Sequence, residues 1–188
     1  MLTLLECFKI MKKLPLAKAI GIKKESDLSK LSFPYYMKAS IRGHKLEKKA
    51  VLRIENIKQA MQEYKRLKKE FSGSPIIIQE QVIGTEMILG LKHDEVFGNL
   101  LMIGFGGTNA EVLKDVGFRA IPVDKTEIKK ALEQLKLYPT LFKRKKHNID
   151  SFIDLAYEVS TLKFSELDLN PVILNEQGAF IVDARGEL

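Results

Sequence analysis

The sequence predicts an α+β fold, and three observations lead there. Strand-like apolar runs and amphipathic helices are mixed along the chain. Hairpin-type connections outnumber the long crossovers that parallel pairing needs. Hydrophobic residues make up 45% and charged ones 29% of the 188 residues, enough apolar material for a real core under a charged surface.

Taken in order, the first thirty residues predict a helix around residues 4–18, then a short connection through Ser26-Asp27. Residues 34–40 (PYYMKAS) read as a strand carrying one lysine, IRGHKLEKK as a polar loop, and residues 50–54 (AVLRI) as a strand. In ENIKQAMQEYKRLKKEF, Ile57, Ala60, Met61, Tyr64, Leu67 and Phe71 recur at spacings of three and four, which predicts an amphipathic helix that Gly73 ends. PIIIQEQV reads as a buried strand, Ile83-Gly84 as a turn, and TEMILGL as the next strand. LLMIG enters a strand that ends in GFGGTNAE, and RAIPV predicts another. Helices are expected over residues 125–137 and 149–162, joined by the basic loop FKRKKHN. SELDLNPVIL, the turn NEQG and AFIVDA predict a closing hairpin.

Composition narrows the function classes. No apolar run approaches eighteen residues, so no transmembrane helix is expected. In MLTLLECFKIMKK the lysines follow the apolar stretch, the wrong order for a secretory signal. The single cysteine, Cys7, rules out an internal disulfide or a multi-thiolate zinc site and fits a reducing, cytoplasmic setting. A net charge of +7 favours anionic partners without choosing among nucleic acid, nucleotides, acyl-phosphates and acidic proteins.

The terminal hairpin carries the sharpest signal. Leu167, Leu169, Val172 and Leu174 are apolar, while Asp168 and Asn170 share the opposite face. If residues 175–178 close the hairpin, Asn170 sits across from Asp183, with Cβ atoms about 5 Å apart. Two oxygen donors so placed can share one hard cation such as Mg²⁺. Pro171 must lie at an edge or a bulge, and a bulge there would shift the pairing and break the match. The alternative is a solvated polar face.

Other segments allow two readings each. Lys38 either points to solvent or reaches a buried anion such as a nucleotide phosphate. The strand end QEQV can offer backbone groups to a purine edge, with Glu86 reaching ribose, or be one arm of a plain hairpin. GFGGTNAE could cradle an anion or simply turn; it lacks the Lys-Ser/Thr of a P-loop. His44 is either an exposed loop histidine or a phosphoryl acceptor flanked by cations. KRKKH and YKRLKK are solvated faces or phosphate-backbone contacts, without aromatics interleaved as in a nucleic-acid platform.

From about Phe33 to Leu188, IIIQEQVIGTEMILGL, GFGGTNAEVLKDVGFRAIPV and ELDLNPVILNEQGAFIVDAR follow one another in an order that resembles the ATP-grasp domain of the beta (small) subunit of NDP-forming acyl-CoA synthetases, including ADP-forming acetate–CoA ligases. Succinyl-CoA synthetase beta chains are more distant relatives. The resemblance implies one ATP-grasp domain over residues 1–188. A first subdomain (about 1–82, with a short N-terminal helical part) and a second (about 83–188) would hold a nucleotide between them.

The resemblance also implies roles. Lys38 would contact nucleotide phosphates, Glu80 and Val82 would hold adenine, and Glu86 would bind ribose. Asn170 and Asp183 would hold Mg²⁺, assisted by Asp168. His44 would carry a phosphoryl group to or from ADP/ATP. Glu111, Asp115 and Arg119 would have a phosphate or loop-ordering role. The implied reaction is acyl-CoA + ADP + phosphate to acid + CoA + ATP, in partnership with a CoA-binding alpha subunit. After His44-Lys45 the family usually has a Ser-Asp and two glycines, where this chain has Leu46-Glu47-Lys48-Lys49-Ala50. A nucleotide-binding or partner subunit without turnover is the alternative this departure suggests, and a basic nucleic-acid-associated protein is a second.

Overall fold

The computed structural model describes residues 1–41, 50–107, 113–142 and 146–188. His44, Glu111 and the run Lys143–Lys145 lie outside them. The chain divides into two compact units. The first is Ala17–Val82 with Met1 and Thr3; the second is Leu4–Leu16 and Ile83–Leu188 with Leu2.

In the first unit, β1 (Ala19–Gly21), β2 (Tyr35–Ala39), β3 (Val51–Ile54) and β4 (Ile76–Glu80) form an antiparallel sheet of order β1-β4-β2-β3. The predicted amphipathic helix, α2, spans Ile57–Glu70. The Asn56 side chain accepts the Gln59 N–H at its start, and Gly73 takes a left-handed φ of 86° just beyond its end. Its buried stripe of Ala60, Tyr64 and Leu67 joins the core with Tyr35, Met37, Ile54 and Ile78. Asp27 fastens the 3₁₀ turn Glu25–Ser29, accepting the Lys23 and Lys24 N–H groups and pairing with Lys30.

The second unit is a six-stranded antiparallel sheet covered on one face by helices. Its strands are β5 (Thr85–Asp94), β6 (Gly98–Phe105), β7 (Val116–Ala120), β8 (Glu166–Leu174), β9 (Ala179–Ile181) and β10 (Arg185–Glu187). The order is β10-β8-β5-β6-β7, with β9 also on β8. Helices α3 (Lys125–Glu133) and α4 (Ile149–Ser160) begin at Asp124 and Asn148, whose side chains accept the Glu127 and Ser151 N–H groups. Buried Ile128, Leu132, Phe152 and Leu155 of the helices, and Met87, Leu89, Leu101 and Leu169 of the strands, mark this core.

Four expectations are corrected. The first helix, α1, is only Leu4–Ile10, not residues 4–18. Pro15 cannot continue a helix, and the chain beyond it pairs with strands: Leu16 bridges to Ile181 and Ala19–Gly21 to β4. This N-terminal part belongs to the second unit, not the first, because Leu2 and Leu16 bridge to Gly186 and Ile181 there. The strand expected over RAIPV lies earlier, at β7, since Pro122 has no N–H for a ladder and Asp124 already caps α3. Finally, β4 and β5 belong to different sheets, so Gln81–Gly84 joins the two units rather than closing a hairpin.

Candidate functional site

Each unit presents one sheet face opposite its helix-covered core. On β2, Tyr35, Met37 and Ala39 enter the core, so alternation puts Lys38 on the other face, between Val51 of β3 and Ile77 of β4. Lys38 is only 8% exposed. An ammonium so enclosed is costly unless acceptors or an anion meet it, and its apolar stem suits the flanking Val and Ile.

Glu80 ends β4 doubly tied to the N-terminal side of β1. Its Oε1 accepts the Lys18 N–H at 2.6 Å and its own N–H donates to the Lys18 carbonyl at 3.0 Å. The Glu80 carboxylate therefore positions backbone. Next to it Gln81 accepts from Arg53 Nε at 3.1 Å, and Val82 is half-buried.

In the second unit the proline-containing strand resolves the register question. Met87 pairs with Val172 and Leu89 with Leu169, so Ile88 alone faces Asn170 and Pro171. This is a β-bulge, and it lies on the β5 side. On the other side β8 keeps its count: Leu174 faces Ala179, Val172 faces Ile181, and beyond Pro171 Asp168 faces Arg185. Residues 169–171 and 182–184 are equal in number between those pairs, a count that matches Asn170 to Asp183 in the irregular stretch between β9 and β10. The Pro171 carbonyl accepts from both Val182 N (3.1 Å) and Asp183 N (3.4 Å). The bulge also explains why Leu167, Leu169, Val172 and Leu174 are all buried although their spacing breaks strict alternation.

Asp168, Asn170 and Glu86 are exposed on the face away from α3 and α4, and Asp183 is partly buried beside them in sequence register. Arg185, which the sequence reading did not single out, is the direct cross-strand neighbour of Asp168. Asp183 also lies near enough to buried Cys7 of α1 to help hold its thiol high. Burial is the main cause, Glu6 and Asp183 add to it, and the pKa reaches about 11. Among the described residues no group of three or more His, Cys, Asp or Glu converges as a metal cage. The donors here are instead an amide and two carboxylates, hard oxygens few enough to leave coordination positions for phosphate and water. That set suits Mg²⁺.

Gly-rich GFGGTNAE is described only through Gly107. Gly104 packs against Val116 and the Asp115 carbonyl, and Gly106 donates its N–H to the Glu86 carbonyl at 2.7 Å. Asp115 is 4% exposed, and its two oxygens accept the Lys136 and Leu137 N–H groups, both at 2.8 Å. Arg119 binds the Gln134 side chain at 2.7 Å and approaches Glu127 at 3.7 Å. Both residues thus join β7 and its approach to α3 and the turn after it.

His147, at the end of the basic loop, bridges the Leu141 carbonyl (Nδ1, 2.7 Å) and the Thr85 hydroxyl (Nε2, 2.9 Å). A carbonyl can only accept, so the proton sits on Nδ1 and Nε2 accepts from Thr85 in the neutral ring. Asn175 works alongside: its Nδ2 donates to the Ile83 carbonyl and its Oδ1 accepts from Gln177 and Gly178. Neither role is visible in sequence, since each joins segments more than sixty residues apart.

The sequence profile of a family described as "ATP-grasp domain" matches residues 28–188. The chain belongs to the ATP-grasp family. Among curated relatives, this ATP-grasp chain is 32% identical over 165 residues to "Acetate--CoA ligase [ADP-forming] II" of Archaeoglobus fulgidus, covering 82% of this chain and 24% of that protein. It is 37% identical over 113 residues to "Acetate--CoA ligase [ADP-forming] II subunit beta" of Pyrococcus furiosus, covering 54% and 48%. The matches thus span about a quarter and about half of those relatives' lengths. Among solved structures, the dinucleotide-forming acetyl-coenzyme A synthetase 1 of Ca. Korarchaeum cryptofilum, in complex with coenzyme A, Ca-AMPCP and HgCl+, superposes with a TM-score of 0.87. That alignment has 25% identity and covers 100% of this chain and 93% of the other. No described helix of the ATP-grasp chain is long and apolar enough to cross a membrane.

Proposed function

We propose that this chain is the nucleotide-binding ATP-grasp part of an ADP-forming acyl-CoA synthetase. It would take a phosphoryl group from a phosphohistidine to ADP, and return it from ATP in reverse. What supports the reading is the count along β8: Val172 pairs with Ile181 and Asp168 with Arg185, and carrying that count through the stretch between them would match Asn170 to Asp183, with Asp168 on the same strand. The named relatives supply the chemistry: ADP-forming acetate–CoA ligases, one of them a beta subunit, and a synthetase solved with coenzyme A and Ca-AMPCP.

In this reading Asn170, Asp183 and Asp168 hold Mg²⁺, which neutralises phosphate charge when bound. Lys38 contacts the phosphates. The strand end Glu80–Val82 presents backbone to adenine, while the Glu80 side chain keeps that strand end in place through Lys18. Glu86 accepts hydrogen bonds from ribose. Phosphoryl transfer needs positioning and charge neutralisation more than covalent help, so a lysine, hard oxygens and a purine site suffice. His44 is the proposed phosphoryl carrier. A CoA-binding alpha partner would supply the acyl chemistry.

The test is calorimetric binding of ADP and ATP to the chain with and without Mg²⁺, beside Asp183→Asn. Mg²⁺-dependent binding that the substitution weakens about ten-fold is expected, the loss of one charged ligand interaction. Binding unaffected by Mg²⁺ and by Asp183→Asn would overturn the metal assignment, and no nucleotide binding at all would overturn the reading.

A further inference from the structure

Glu86 is the second residue of β5, just before Met87, which pairs with Phe105, so the chain leaving β6 carries Gly106 and Gly107 alongside it. Three observations describe that approach. The Gly106 N–H donates to the Glu86 carbonyl at 2.7 Å. A methyl group on Gly106 would lie 3.3 Å from the Glu86 backbone carbon and Cβ. A methyl group on Gly107 would lie 2.8 Å from Glu86 Oε2, and Gly107 has a left-handed φ of 78°. The first two contacts fix the Glu86 backbone; the third touches the end of its carboxylate. That end is flexible, so a side chain at Gly107 would push the carboxylate aside rather than move the sheet.

We infer that Gly107 is a positioning residue for Glu86: its missing side chain leaves the space in which the Glu86 carboxylate sits, and so sets the chain's selectivity for nucleotides that carry ribose hydroxyls. The inference rests on the reading of Glu86 as the ribose acceptor. It gives the glycine pair in GFGG a role other than anion cradling. A carboxylate held against Gly107 would repel a phosphate placed there.

Gly98 supplies the control. It shares a left-handed φ of 73°, but a methyl group there would meet nothing within 4 Å. Gly98→Ala therefore introduces the same backbone strain without touching Glu86. The experiment measures binding of ADP and of its dideoxyribose analogue to wild type, Gly98→Ala, Gly107→Ala, Glu86→Gln and the Gly107→Ala/Glu86→Gln double variant. A second readout, the NMR shift of the Glu86 side-chain carboxyl carbon, needs no nucleotide.

Gly107→Ala should lose about ten-fold in ADP affinity and most of the preference over the analogue, the size of a lost hydrogen bond to a charged acceptor. Gly98→Ala should keep both. Glu86→Gln should match Gly107→Ala, and the double variant should lose nothing further, because both changes remove one interaction. The Glu86 signal should move in Gly107→Ala and stay in Gly98→Ala. An unmoved signal in folded Gly107→Ala, or fully additive losses, would overturn the inference. Wild type that binds ADP and its analogue equally would overturn the ribose role of Glu86 and the inference with it, whereas a signal that moves while selectivity stays would overturn the link to selectivity alone.

Discussion

Asp168 pairs directly across the strand with Arg185, in the same count that pairs Val172 with Ile181, although the strand between Leu169 and Val172 is bulged by Pro171. The bulge faces β5, where Ile88 meets both Asn170 and Pro171, and leaves the other side in step. That count matches the amide of Asn170 to the carboxylate of Asp183.

If the two share one cation, their losses should not add. Asn170→Ala and Asp183→Asn should each weaken Mg²⁺-dependent ADP binding about ten-fold, and the double variant should fall well short of the product of the two. Calorimetry with Mg²⁺ titrated at fixed ADP checks this. Independent, multiplying losses would separate the two residues.

Lys38→Met keeps the apolar stem between Val51 and Ile77 and removes the charge. Affinity for ADP and ATP should fall at least ten-fold, as a buried cation–phosphate contact implies. The variant should remain folded at the temperature of the binding measurement, so that the loss of affinity reads on the nucleotide contact. Differential scanning calorimetry beside the binding measurement tests both halves.

Asp115→Ala leaves the Lys136 and Leu137 N–H groups without their acceptor. The second unit should lose about 2 kcal/mol, the range for stranded buried donors. Amide hydrogen exchange at Lys136 and Leu137 should speed up. Unchanged exchange would mean that other acceptors replace the carboxylate.

Asp27 gives a pH prediction. The Lys30 ammonium, then the Lys23 and Lys24 N–H groups, hold its carboxyl below the usual 3.8. A depressed folded-state pKa adds stability above the unfolded value, and that stability is lost as pH falls from there toward the folded value. Wild-type unfolding midpoints should therefore drop as pH goes below about 4, the ordinary aspartate range. Asp27→Asn should start lower at neutral pH and show a shallower drop. Parallel curves for the two proteins would contradict this.

The long, periodic elements were readable in sequence because side chains dictate them: α2 by its three-and-four stripe, and β8 by its alternation. Even the bulge is written there, in the step from Leu169 to Val172 that breaks a period of two and keeps both residues buried. Short strands were not readable. β1 (Ala-Ile-Gly) and β10 (Arg-Gly-Glu) owe their place to backbone pairing with longer partners, and their side chains carry no pattern. The span predicted for the N-terminal helix overshoots because apolar spacing continues past Ile10, where the helix ends, into residues that turn and then pair with strands beyond Pro15. At the site, the cross-strand relation of Asn170 and Asp183 follows from counting along one hairpin. The meeting of Glu86 with Gly107 depends on how β5 pairs β6, and the Asp115 caps depend on where α3 ends. Neither is a property of a local window.

The N-terminal bridges carry a further consequence. Leu2 with Gly186, and Leu16 with Ile181, occupy the outer side of β10 and β9, where an edge strand otherwise offers open N–H and C=O groups to any extended chain. These few residues act as a guard against strand-to-strand association. A fragment starting at Ala17 would expose that margin, and self-association rather than simple unfolding is its expected failure.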